Sequence, residues 1–141
     1  MARPKAHPEF IYKTNRHCCY YLQYHMVLIT KFRHPVIEGE IETRLYEILQ
    51  DLFKGAKCNI IEVNSDKDRV HILFEAPPQV ALSHLVNSVK TVTSRRLRKE
   101  FPDAIAQYCP DSHLWAESYF VGLDSERGSF ALQQYIQNQK E

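Results

Sequence analysis

The order of residue patterns along the chain predicts an α+β fold: a four-stranded antiparallel sheet, two helices on one of its faces, and a further helix at the C-terminus. Three observations carry this expectation. Residues 69–74, Arg-Val-His-Ile-Leu-Phe, are an apolar and β-branched run closed by Pro77 and Pro78, which is the composition of a strand inside a sheet. Segments 40–54 and 80–101 instead repeat apolar residues every three or four positions, the period of helices with one buried stripe. Strands and helices then interleave as β-α-β-β-α-β with one more helix after them. That split βαββαβ sandwich is ferredoxin-like, the layout also found in RNA-recognition motifs, and it leaves one sheet face uncovered.

Residues 1–16 mix Pro, Lys, His and Asn without periodicity and are expected to form a flexible N-terminal arm. Residues 17–141 are expected to form a single domain. Its first strand is expected over Cys18–Thr30, rich in aromatic and apolar residues, followed by a basic turn at Lys31-Phe32-Arg33-His34-Pro35. Ile41, Leu45, Ile48, Leu49, Leu52 and Phe53 define the first helix, with Gly55 placed to end it. Cys58–Val63 reads as a second strand, joined through the polar residues 64–67 to the strand at 69–74 in a hairpin. Val80, Leu82, Leu85, Val86, Val89 and Val92 mark the second helix, which Pro102 is expected to end. Residues 102–113 read as loop, 114–122 as the fourth strand, and 129–139 as a terminal helix with Ser129 as its cap.

Composition bounds the function. With 44% apolar and 25% charged residues among 141, the chain has the balance of one globular domain. A net charge of +1 excludes a globally basic protein and leaves local patches as the candidates for nucleic-acid contact. No apolar run approaches a membrane span and the N-terminus lacks an apolar signal core, so a cytoplasmic location without membrane contact is expected. Cys18, Cys19, Cys58 and Cys109 show no C-x-x-C pairing and read as reduced thiols.

In the strand at 69–74 alternate side chains share a face about 7 Å apart. Arg69, His71 and Leu73 therefore point one way and Val70, Ile72 and Phe74 the other. A polar pair on one face of an apolar strand lies either on a solvent-facing surface or in a site that gives it partners. Tyr135 and Gln139, four apart, share one face of the terminal helix. A tyrosine hydroxyl can hold a phosphoryl group covalently, splitting strand cleavage and rejoining into two transesterifications. Such chemistry is helped by a divalent ion, to which Gln139 offers an amide oxygen. Lys31, Arg33 and His34, then Lys90, Arg95, Arg96, Arg98 and Lys99, are the candidates for DNA phosphate contacts. Tyr20, Tyr21, Tyr24, Phe32, Trp115 and Tyr119 lie where an unpaired base could stack, or else fill the core.

Taken together, these residues resemble the HUH-motif single-strand tyrosine transposases of small insertion sequences, the TnpA-like, IS200-like group. The resemblance rests on Tyr24-His25 with Lys31–Pro35, Asp68–Leu73 with Ala76-Pro77-Pro78, Ser94–Phe101, Leu114-Trp115 with Ser118–Val121, and Tyr135–Gln139. The pieces fall in the right order over residues 20–139. The resemblance implies a homodimer that recognises hairpins on single-stranded DNA and cleaves it through a 5′-phosphotyrosine on Tyr135. It further implies a Mg²⁺ or Mn²⁺ ion held by His71, as the second histidine of the motif, and by Gln139.

One position departs from that pattern: Arg69 stands where the first histidine of the His-hydrophobic-His motif belongs. A guanidinium is always protonated and has no lone pair to give a metal. Three accounts follow. The chain is a catalytically impaired relative that still binds single-stranded or hairpin DNA, or Arg69 grips the scissile phosphate directly, or Asp66 or Asp68 replaces the lost ligand.

Overall fold

The computed structural model describes residues 13–14, 19–20, 22–110, 113–124 and 135–138. Four strands build one antiparallel sheet: β3 (Gln23–Ile29), β4 (Asn59–Asp66), β5 (Arg69–Glu75) and β6 (Phe120–Leu123), in the spatial order β4-β5-β3-β6. Ahead of them β1 (Lys13–Thr14) and β2 (Cys19–Tyr20) pair as a separate two-stranded ribbon. The expected first strand is therefore divided, with Cys19–Tyr20 in the ribbon and only Gln23–Ile29 in the main sheet. Cys18 and most of the expected arm lie outside the described residues.

The helices α1 (Gly39–Gly55) and α2 (Leu82–Glu100) lie on the same face of the sheet, as the periodicity predicts. Ile41, Leu45, Ile48, Leu49 and Phe53 of α1 and Leu85, Val86, Val89 and Leu97 of α2 are buried against Met26, Leu28, Val70, Ile72 and Phe74 of the sheet. Phe74 stands at the centre, 5.0 Å from the ring of Phe53 and 5.6 Å from that of Tyr24. Burying one such aromatic is worth roughly 2–3 kcal/mol, so this layer holds the domain together. Gly55 is the last residue of α1 rather than its stop signal. The left-handed position that ends the turn is Lys57, at φ 63°.

Three further expectations are corrected. The loop foreseen at 102–113 contains a helix, α3 (Pro102–Tyr108). Phe101 leaves helical geometry (φ −130°, ψ 59°) and ends α2, but Pro102 also starts the next helix, because its fixed φ suits a first helical position. The hairpin between β4 and β5 turns through two residues, Lys67 and Asp68, with Asp66 paired to Arg69. In the segment 114–122, Leu114, Trp115 and Ala116 are buried and make a bridge from Trp115 to Thr30. The exposed polar trio 117–119 interrupts the run before β6 begins. Inside the core the Trp115 indole donates to the Thr93 hydroxyl at 2.9 Å, and that hydroxyl donates to the Val89 carbonyl at 2.6 Å.

Among the described residues no helix is long and apolar enough to cross a membrane. Cys58 and Cys109 are buried free thiols, and burial pushes the Cys58 thiol pKa up.

Candidate functional site on the second sheet face

Strand alternation decides what the face away from α1 and α2 carries. In β5, Val70, Ile72 and Phe74 are fully buried toward the helices while Arg69, His71 and Leu73 are half-buried on the other side. Facing residues of antiparallel strands share a face. The register pairs Ile29 with Arg69, Val27 with both His71 and Phe120, and His25 with both Leu73 and Gly122. His71, Val27 and Phe120 thus form one row across three strands, about 10 Å from end to end at the usual strand spacing.

Tyr135 completes the row. Residues 135–138 are helical, and Tyr135 and Ile136 pack on Val27, Ile29 and Phe120. The Tyr135 and Phe120 rings lie 5.6 Å apart, and the Tyr135 phenol is hydrogen-bonded to the Ser118 hydroxyl at 3.0 Å. Gly122 keeps this seat open. A Cβ there would meet the Phe120 ring at 3.0 Å, tight enough to shift the ring on which the tyrosine rests. Tyr135 and His71 therefore share one sheet face, on either side of Val27. Gln139 and Ser129 lie outside the described residues.

Beside the row sits a polar chain that sequence reasoning missed. His25, only 8% exposed, faces His71 diagonally, with Nδ1 2.7 Å from His71 Nε2. Its other nitrogen, Nε2, lies 2.7 Å from Asp124 Oδ1. Burial, and after it the neighbouring His25, lower the His71 pKa, while Glu62 and Asp124 pull weakly the other way. Alternation alone puts His25 on one side of its strand. Only the register shows that this side also carries His71, and register is not written in one strand's sequence.

Arg69 is held by carboxylates on two sides. Its Nη2 lies 2.5 Å from Asp66 Oδ2 and its Nη1 3.1 Å from Asp68 Oδ1. Asp68 also accepts from Arg33 Nε at 2.8 Å. Asp66 and Asp68, expected as substitute ligands, are thus engaged with guanidinium groups. Among the described residues no group of three or more His, Cys, Asp or Glu side chains is arranged to hold a metal ion.

The basic candidates fall elsewhere. Lys90, Arg95, Arg96, Arg98 and Lys99 lie on α2, in the helix layer, and Lys90 reaches the sheet edge, where its Nζ donates to the Glu117 carbonyl at 3.0 Å, one residue from the Ser118 that holds the Tyr135 phenol. Lys90, Arg95 and Arg98 line a cleft of about 550 Å³ with His113 and Glu117. Arg98 donates through Nη1 to the Cys109 carbonyl at 2.9 Å. Lys31 and His34 line a smaller cleft of about 270 Å³ with Phe32 and Tyr108. Of the aromatics considered for stacking, Trp115 is buried and Tyr24 packs on Phe74, whereas Phe32 is 62% and Tyr119 37% exposed. The side chains of Tyr20 and Tyr21 lie outside the described residues.

Comparisons with known proteins agree on one group. The sequence pattern described as "Transposase IS200 like" matches residues 18–139. The ISDra2 transposase TnpA of Deinococcus radiodurans is 32% identical over 127 residues, 90% of this chain and 90% of the relative. The transposase for insertion sequence element IS200 of Salmonella typhimurium is 27% identical over 129 residues, 92% of this chain and 84% of the relative. A crystal structure of a transposase from Deinococcus radiodurans superposes with a TM-score of 0.82 at 34% identity, covering 90% of this chain and 97% of that one.

Proposed function

The chain belongs to the IS200-like transposase family, and from that premise we propose that it cuts and rejoins hairpin-bearing single-stranded DNA with Tyr135 as nucleophile. The Tyr135 oxygen bonds to the scissile phosphorus and the bond from phosphorus to the 3′ oxygen breaks. The departing oxygen takes up a proton, and the 5′ end remains as a tyrosyl phosphodiester. Attack of a 3′-hydroxyl on that ester reverses the exchange and releases the tyrosine. Each step trades one phosphodiester for another, so no external energy source is required. A homodimer is the working unit in this reading.

The observation that carries the proposal is the position of Tyr135 on Phe120 and Val27, across the row from His71. Ser118, hydrogen-bonded to the phenol, is a positioning residue that aims the nucleophile. The basic groups of α2 and of the turn after β3 supply backbone contacts to the DNA away from the reacting phosphate.

A divalent ion, Mg²⁺ or Mn²⁺, would polarise the phosphate oxygens in such a reaction. The position of the motif's first histidine cannot serve as a ligand in this chain, because Arg69 has no lone pair and its guanidinium is tied to Asp66 and Asp68. No step above is routed through an ion.

The test incubates the full chain with a single-stranded oligonucleotide carrying a hairpin from the flank of its own element. A covalent protein–DNA adduct that survives denaturing electrophoresis is expected, and Tyr135→Phe should abolish it. An adduct that persists in Tyr135→Phe, or never forms, overturns the transferase reading. Arg69 favours a second reading, a hairpin-binding relative without cleavage. Its signature is salt-sensitive binding that ignores chelator and is unchanged by Tyr135→Phe.

A further inference from the structure

We propose that the cleft between the turn after β3 and the end of α3 is a base-stacking site for single-stranded DNA. An unpaired nucleobase lies against Phe32, His34 and Tyr108, and the phosphates of the same strand continue into the larger cleft along α2. The choice of polymer rests on the reading of the chain as an enzyme of single-stranded DNA.

The first ground is the turn itself. Phe32 and Arg33 are consecutive non-glycine residues in the left-handed region, each at φ 56°. Backbone of this kind persists only where its surroundings over-determine it. Here the Thr30 hydroxyl donates to the His34 carbonyl at 2.8 Å and the Arg33 amide to the Thr30 carbonyl at 2.9 Å, while Arg33 Nε donates to Asp68 Oδ2 at 2.8 Å. The outcome is a Phe32 ring held 62% exposed. A rigid ring offered to solvent adds little to stability, but it suits the stacking of a base.

The second ground is what surrounds that ring. Phe32 and His34 meet edge to face at 6.0 Å, and His34 lies 5.7 Å from Tyr108. With Lys31 and His113 they line a cleft of about 270 Å³, room for a base and too little for a duplex. Lys31 Nζ, 5.5 Å from the Phe32 ring centroid, puts a cation beside the phosphate of a stacked nucleotide.

The third ground is continuity with Tyr135. His113 lines both this cleft and the one of about 550 Å³. Arg98 joins the two: its Nη1 donates to the carbonyl of Cys109, which lines the smaller cleft. Its Nη2 is buried with no hydrogen-bond partner among the described residues, a donor that a phosphate oxygen would satisfy. Lys90, Arg95 and Arg98 against the single carboxylate of Glu117 give the larger cleft a positive balance. Lys90 binds the Glu117 carbonyl, one residue from the Ser118 that holds the Tyr135 phenol. A strand leaving Tyr135 therefore meets the phosphate cleft first and the base cleft second.

The experiment measures binding of a fluorescent, unstructured oligo-dT strand to the full chain carrying Tyr135→Phe, so that no cleavage intervenes. Phe32→Asn is the decisive change, because asparagine tolerates the left-handed backbone. It should leave the urea midpoint unchanged or raise it, yet weaken binding about 10-fold, the loss of one stacked base. Phe32→Trp should bind like the unaltered ring. Arg95→Gln should weaken binding with a shallower salt dependence, whereas Phe32→Asn keeps the original slope. Ultraviolet crosslinking of an iodouracil-substituted strand, mapped by mass spectrometry, needs no variant to fold and should place a base on Phe32, His34 or Tyr108. Absence of oligo-dT binding, unchanged affinity in a folded Phe32→Asn, or crosslinks confined to other residues overturns the proposal. Tighter binding of an oligo-U RNA of equal length overturns it too. Failure of the unaltered chain to form the Tyr135 adduct, with these binding results intact, would sink the transferase reading and leave the base site standing.

Discussion

The two faces of the sheet follow opposite rules. Toward the helices β3 and β5 present Met26, Leu28, Val70, Ile72 and Phe74, all buried among the apolar stripes of α1 and α2. Toward the other side the same strands present His25, Arg69 and His71, interrupted by Val27 and Ile29. The first face spends its residues on stability. The second holds polar groups in a partly desolvated setting where they need partners, and it finds them in Asp124, Asp66 and Asp68. Tyr135 rests on the small apolar island that remains. One strand, β5, thus serves both purposes through its two-residue period.

This contrast can be broken most sharply by matched truncations in β5. Phe74→Ala should cost about 3–5 kcal/mol, read as a lower midpoint in urea denaturation, because its ring fills the space between Phe53 and Tyr24. Leu73→Ala, its neighbour on the other face, should cost only about 1 kcal/mol. Comparable losses at the two positions would show that the second face is also a structural core.

Thr93→Val comes next. It keeps the shape but leaves the buried Trp115 N–H without its acceptor, at a cost of about 1–3 kcal/mol. An unchanged midpoint would mean that the indole finds another partner. Arg69→Gln should move stability by less than about 1 kcal/mol, since its ion pairs are partly exposed. A larger loss would make Arg69 a structural residue and weaken the view that its charge is merely balanced. The smallest effect is kinetic: Cys58, buried with its pKa raised, should alkylate more slowly in the native chain than after unfolding. Peptide mapping of the labelled cysteines reads this directly, and equal rates would place Cys58 at the surface.

Much of the first face was legible in the sequence, because helix and strand periodicity are local signals. The alternation at residues 69–74 gives both faces of β5, and the apolar spacing in 40–54 and 80–101 gives both helices. The errors arose where one residue carries two meanings. Pro102 stops α2 and starts α3, and the apolar Leu114-Trp115-Ala116 run is buried as a connector with one bridge rather than as a continuous strand.

The second face was legible only in part. Tyr135, His71 and Arg69 stood out by residue type, order and resemblance. The His25–His71–Asp124 chain joins residues 46 and 99 positions apart, and no local pattern carries that register. The basic residues of α2 were identifiable by charge, but that Lys90 reaches the Glu117 carbonyl beside Ser118 follows only from the three-dimensional packing.

The most direct test of the central claim is to isolate the adduct formed with single-stranded DNA, digest it, and identify the DNA-linked peptide by mass spectrometry. The account predicts a nucleotide on Tyr135 and nowhere else. A nucleotide on Tyr119, Tyr108 or Ser118 in place of Tyr135 would contradict it, since Tyr135 is the hydroxyl-bearing side chain that packs on Phe120 and Val27.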